Sequence, residues 1–156
     1  NTFKRSGAAL ISLVLLLVLA VSAGAASSQN VGVKFWKERS DKESMANSGI
    51  DPDRTATLTR QANGTYTLTL PVMQVSKLGV TGYLSGLTIG DVTYDGTLTG
   101  DFNKATAVLT IKNLPASVLT GSDVNKSVLV TCNIQMDLQV LGEINTSARM
   151  CIWNQK

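Results

Sequence analysis

Histidine is absent from these 156 residues. That removes the side chain whose ordinary pKa lies nearest neutrality, and with it imidazole acid–base catalysis and any metal site that needs imidazole. Charged residues make up only 16% of the chain and aromatic residues 5%. Lys and Arg number 14 against 11 Asp and Glu, and no basic run interleaves with aromatics. The small positive charge therefore describes a mixed, solvated surface, and no nucleic-acid partner is expected. There is no phosphate-cradling glycine loop. Asp91, Asp95 and Asp101 lack the spacing of a calcium loop, and Asp beside Gly is ordinary turn chemistry. Asp137 and Glu143 lie near one turn, where carboxylates are simply solvated. Cys132 and Cys151 are the only cysteines, and no histidine exists to activate either as a nucleophile. The chain does not read as an enzyme.

The one long apolar run is N-terminal. Lys4 and Arg5 precede an uncharged stretch from Ala8 to Val21, followed by small residues and an Ala23-Gly24-Ala25 exit. A basic start, an apolar centre and an Ala-x-Ala exit form a secretory signal peptide, with cleavage after Ala25. Secretion or display at the cell surface follows. The run falls short of the roughly 20 apolar residues that span a bilayer. Extended to Ala26 it approaches that length, which leaves two alternatives. In one, residues 8–26 are retained and contact a membrane. In the other they form a pilin-like hydrophobic helix, and the chain is a structural subunit of a homopolymeric filament. The domain plan is residues 1–25 as signal peptide or retained helix, 26–30 as linker, and 31–156 as the folded domain.

Within that domain the hydrophobic pattern has period two. From Val128 to Val140 the even positions are Val, Val, Cys, Ile, Met, Leu and Val, and most odd positions are polar. Alternation of this kind is a strand with one buried face. Val31, Val33 and Phe35 begin another strand that ends near Trp36. Lys37 to Ser48 is polar, with one short helical turn over Ser44-Met45-Ala46-Asn47 capped by Ser44 or Ser40. Asp51-Pro52-Asp53 is a turn. Ala62-Asn63-Gly64 joins two alternating runs, Thr55–Arg60 and Thr65–Leu70, as a hairpin. Val72 to Val75 reads as a short strand, and glycines 79, 82, 86, 90, 96 and 100 as punctuation between further short strands. Ala105 to Ile111 alternates with Ala105, Ala107, Leu109 and Ile111 inward. Leu114 to Asp123 is a loop with a helical turn. About eight strands and no amphipathic helix define an all-β domain. An immunoglobulin-like antiparallel β-sandwich of Greek-key type is preferred to a barrel.

The last hairpin has two candidate registers. A two-residue loop at Leu141-Gly142 sets Cys132 opposite Cys151. One residue more pairs Val140 with Ile144, Met136 with Ala148, Ile134 with Met150 and Cys132 with Ile152, all on the apolar face. A slip of one flips every side chain, and several buried aliphatics at about 1.5–3 kcal/mol each outweigh one disulfide at about 2–4 kcal/mol. The second register is preferred, with unbridged cysteines on opposite faces. Asn63, Asn125 and Asn145 each begin a glycosylation sequon, and all three fall at expected turns.

Phe35-Trp36, Ser44-Met45-Ala46-Asn47, Gly79-Val80-Thr81-Gly82-Tyr83-Leu84 and the closing Met136, Gly142 and Ala148-Arg149-Met150 together resemble the NEAT (near-iron-transporter) domain. The resemblance spans Asn30 to Trp153. It implies an immunoglobulin-like sandwich with a pocket between a short lip turn and the last hairpin, and it implies haem or another small flat hydrophobic ligand as the occupant, or a surface protein as partner. By this likeness Ser44 and Met45 are the lip residues over the haem. Ile134, Met136 and Met150 form the apolar wall. The family holds iron through a tyrosine of a Tyr-x-x-x-Tyr motif entering the last strand. This chain has Gly142 to Thr146 and Ser147 there, without a tyrosine.

Overall fold

The structure, a computed structural model, describes residues 27–77, 80–137 and 142–155. The signal peptide or hydrophobic helix expected over residues 1–25, with its membrane contact at 8–26, lies outside the described residues, as do Leu138 and Val140 of the long alternating stretch. Nine strands follow in order: β1 Ser27–Lys37, β2 Ala56–Arg60, β3 Tyr66–Pro71, β4 Val75–Lys77, β5 Val80–Ile89, β6 Val92–Thr99, β7 Val108–Leu114, β8 Val128–Met136 and β9 Glu143–Asn154. The only helices among the described residues are single 3-10 turns, at Met45–Gly49, Phe102–Lys104, Ala116–Val118 and Val124–Lys126.

All pairings are antiparallel, and the lateral order is β4-β5-β6-β7-β3-β2-β1-β9-β8, with β8 also paired to β5. All strands but β4 therefore close into one ring. The all-β expectation holds, but the two separate sheets of a Greek-key sandwich do not. Their place is taken by a single sheet closed on itself. The reason lies in β5, whose ten residues are enough to pair with β4 and then β6 along one edge and with β8 along the other. Of the glycines read as punctuation, Gly90 and Gly100 lie at turns as expected, but three others sit inside long strands. Gly82 and Gly86 are in β5 and Gly96 is in β6, at places where a neighbour comes too close for a side chain.

The ring encloses one core built from alternate residues: Val31 and Phe35 of β1, Leu58 of β2, Leu68 and Leu70 of β3, Leu109 and Ile111 of β7, and Val130 and Cys132 of β8. Each buried aliphatic of this kind contributes about 1.5–3 kcal/mol. Two bulges add residues that strict alternation would point outward. The register of β5 against β8 shifts between Leu84 and Gly86, so that Leu84 and Leu87 are both buried. In β7, Asn113 takes a positive φ of 65°, and Leu114 turns inward beside Ile111.

Several boundaries differ from the sequence reading. Ser27 to Asn30, expected as linker, belongs to β1 and pairs with Arg60 to Thr57 of β2. Val72 makes only an isolated bridge to Ile50, and β4 starts at Val75. Ala105 is exposed, closing the Phe102–Lys104 turn with φ 53°, and β7 begins at Val108. Asn145 lies within β9 opposite Asn133, not at a turn. The β2–β3 hairpin is as expected, with Gly64 at φ 85°.

The β8–β9 register is the largest correction. Ile134 pairs with Ile144, Cys132 with Thr146, Val130 with Ala148 and Val128 with Met150. Even positions still face even positions, so the apolar side stays apolar, but β9 is displaced along β8 by six residues from the expected pairing of Ile134 with Met150. The physical cause is competition for the backbone of β9 beyond Met150. There the Ile152 carbonyl accepts from the amides of Thr120 and Gly121, and the Ile152 amide donates to the Thr120 hydroxyl. The 115–121 loop thus occupies the edge that β8 was expected to fill. Both cysteines are free and buried, as the parity argument requires.

Candidate functional site

The inward face of β8 does not end with the core. Val130 and Cys132 are fully buried, and the next two inward residues, Ile134 and Met136, are only half-buried. They continue the apolar face out of the mouth of the ring, where Ile144 and Thr146 of β9 lie beside them. Across from this wall stands the Met45–Gly49 turn. Together Met45, Val75, Ile134, Met136, Ile144 and Thr146 line a groove of about 160 Å³.

The lip turn is held at both ends. Ser44 is buried, and its hydroxyl oxygen accepts from the Ala46 amide as an N-cap. Asn47 acts as an added strand residue toward β1: its Oδ1 accepts from the Phe35 amide at 2.8 Å, and its Nδ2 donates to the carbonyls of Phe35 at 2.6 Å and Ser44 at 2.9 Å. At the far end the Met73 amide donates to Gly49 and the Asp51 amide to Pro71. Asp51 is itself a buried carboxylate. Arg54 Nε donates to it at 2.7 Å, while Arg54 Nη2 donates to the carbonyls of Ala107 at 2.8 Å and Val72 at 3.3 Å. These bonds hold the Asp51 carboxyl below its ordinary value, the Arg54 hydrogen bond being the largest cause and the Asp53 amide the next.

The side chains that dock the lip are Ala46 and Gly49. Ala46 is buried, and a Cβ on Gly49 would lie 3.2 Å from Leu84 Cδ1. Met45, given by the resemblance as a lip residue over the ligand, lines the groove but remains 46% exposed. On the opposite wall, Met136 pairs with Gly82 of β5, and a Cβ at Gly82 would lie 2.6 Å from Met136 Sδ. The glycine is what leaves room for the sulfur to lie against the β5 backbone. Of the five residues the sequence offered, Met45, Ile134 and Met136 share the groove, Ser44 shapes its lip from behind, and Met150 is elsewhere. Met150 is wholly buried opposite Phe35 and Val128, a consequence of the six-residue register displacement. Val75, Ile144 and Thr146 were missed. Ile144 and Thr146 share the parity of the apolar face, which was the available signal.

Among the described residues, the lining holds no titratable group. The chain's tyrosines all lie off it: Tyr83 points away from the groove and packs on Phe102 at 5.6 Å between ring centroids, and Tyr66 and Tyr94 pack against the core. The geometry is that of a receptor for an apolar, uncharged surface, with two thioethers and one hydroxyl as the side-chain heteroatoms among the described lining residues.

A closed antiparallel ring with a lip turn after β1 and a groove beside the final hairpin is the NEAT-domain fold, and the chain has it. A point mutant of the NEAT5 domain of IsdX2, solved in complex with haem, matches with a TM-score of 0.53 at 12% identity, covering 85% of this chain and 98% of that one. The NEAT5 domain of IsdX2, a B. anthracis hemophore, also in complex with haem, matches with a TM-score of 0.50 at 10% identity, covering 85% and 99%. At these identities the likeness is one of fold. No protein-family model matches the sequence, and no curated protein does.

Proposed function

We propose that the chain is a secreted or surface-displayed NEAT-like binding module that takes a flat hydrophobic ligand of the haem class between its lip turn and β8–β9. The observation that carries this reading is the groove itself, a continuation of the core's apolar face into solvent, bounded by Met45. A concave, mostly apolar surface with few polar groups is the usual form of a small-molecule site. The solved structures of the same fold that hold haem support the choice of ligand class. Met45, Ile134, Met136 and Ile144 supply the contact surface, and Ser44 and Asn47 fix the lip. At about 160 Å³ the groove is narrower than the roughly 300–1,000 Å³ of ordinary small-molecule sites. A porphyrin edge therefore enters by turning the half-exposed Met45 outward, a motion its three rotatable side-chain bonds permit. The filament alternative rests on residues 8–26, outside the described residues, and nothing in the fold favours it.

Titration of the purified protein with protoporphyrin IX, followed by fluorescence, tests the reading. Ile144 is 41% exposed, so Ile144→Glu puts a charge on the groove wall without disturbing the core. The variant is expected to bind at least about tenfold more weakly, about 1.4 kcal/mol. Equal affinities in wild type and variant, or no binding by wild type, would overturn it.

A further inference from the structure

The fold sets the sequons of the sequence in unlike positions. Asn63 stands exposed at the tip of the β2–β3 hairpin, beside Gly64 at φ 85°. Its Oδ1 accepts from the Thr65 amide at 3.1 Å and from the Thr65 hydroxyl at 2.7 Å. Both bonds draw electron density toward the oxygen, which eases loss of a proton from Nδ2 of the same carboxamide. Asn125 is exposed too, but the Ser127 hydroxyl donates instead to the Val124 carbonyl at 2.6 Å. Asn145 lies inside β9, opposite Asn133. Two residues of extended strand rise about 7 Å, which sets the Ser147 hydroxyl apart from the Asn145 carboxamide.

A second feature adjoins Asn63. A cup of about 370 Å³ opens beside it, lined by Gln61, Thr65 and Thr67 and, from β7, by Lys112 and Asn113. Each of these side chains carries a hydrogen-bonding group, the chemistry that hydroxyl-rich ligands need. The cup is remote from the groove. β1 runs into the lip at its Lys37 end and pairs its other end, Ser27, with Arg60 of β2. The β2–β3 tip therefore lies at the opposite end of the ring, where bulk leaves the groove open.

We propose that Asn63 is an N-glycosylation site, alone among the three sequons, and that its first sugar rests in this cup. This rests on export of the chain, one part of the reading above, and not on what the groove holds. The donor is a diphosphate-activated saccharide presented by a glycosyltransferase. Nδ2 of Asn63 bonds to the anomeric carbon, and the carbon–oxygen bond to the diphosphate breaks. The Nδ2 proton passes to a base of the transferase, and the diphosphate leaves as the anion.

The test is peptide mass analysis of the protein recovered from the medium or surface of the cells that make it, before and after peptide-N-glycosidase. The peptide holding Asn63 is expected to carry saccharide mass that the enzyme removes, and those holding Asn125 and Asn145 to be bare. Asn63→Gln and Thr65→Ala, made in the same cells, are expected to lose the saccharide, and Thr65→Ser, which keeps the hydroxyl, to retain it. Removing the glycan is expected to shift the amide resonances of Thr67 and Lys112. Shifts confined to residues 62–65 would overturn the seat in the cup. A bare Asn63 in exported protein, or saccharide on Asn125 or Asn145 instead, overturns the site while export stands. Protein found only inside the cells removes export and the site together.

Discussion

A thiol reacts through its thiolate, so its protonation in the folded state decides its chemistry. Burial pushes the Cys132 thiol up to about 12, well beyond any ordinary labelling pH. Cys151 is equally buried, on the other face of the sheet, with its Sγ 3.5 Å from the Asp123 carbonyl. The native protein is therefore expected to resist alkylation by iodoacetamide at pH 8, and both thiols to label once guanidinium unfolds it. Rapid labelling of Cys132 in the folded protein, read by peptide mass, would contradict this. The free state of the pair was legible from parity alone, because an even and an odd position cannot share the face that the hairpin buries. The role of Asn47 was not. A short polar turn names its own N-cap, but nothing local says that a carboxamide four residues after Glu43 will meet the backbone of Phe35.

Among the elements, the lip depends most on a few bonds. Asn47→Ala removes three hydrogen bonds and leaves the Phe35 amide without its partner, while the Phe35 carbonyl keeps the Ser44 amide. A loss of about 1–3 kcal/mol in chemical denaturation is expected, with faster amide exchange at Phe35 and Ala46. Unchanged exchange there would show that the turn is held by its C-terminal end instead. The strands themselves were largely legible, since alternation marks β1, β2, β3, β7 and β8 directly. The β8–β9 register was not. Periodicity fixes which face a residue joins but is blind to displacement by an even number, and the displacement here is set by Thr120 and Gly121, more than thirty positions upstream of Ile152. The bulges of β5 and β7 escaped for a related reason: each breaks the period that was used to find the strands.

For the whole molecule, ring closure joins segments far apart in sequence, and the Asp51–Arg54 pair braces one such junction by reaching Val72 and Ala107. The sign of its pH dependence follows from the direction of the shift. A carboxyl held below its ordinary 3.8 in the folded state contributes stability that is present above that value and lost as pH falls through the lower folded one. Wild type is thus expected to exceed Asp51→Asn in melting temperature at pH 6 and to lose that lead progressively below about pH 3.8. A constant difference across this range would assign the effect to packing. That the sequence pointed to two sheets, and the chain makes one, traces to the length of β5, which its internal glycines disguised. Closure has a further result for behaviour at high concentration. Every ring strand has a partner on both sides over part of its length, and β4, three residues long at the rim of the groove, is the one strand among the described residues that pairs with a single neighbour. Strand addition between molecules, the first step of amyloid-like association, therefore has only short templates to copy, and β4 is the one that a ligand bound in the groove would cover.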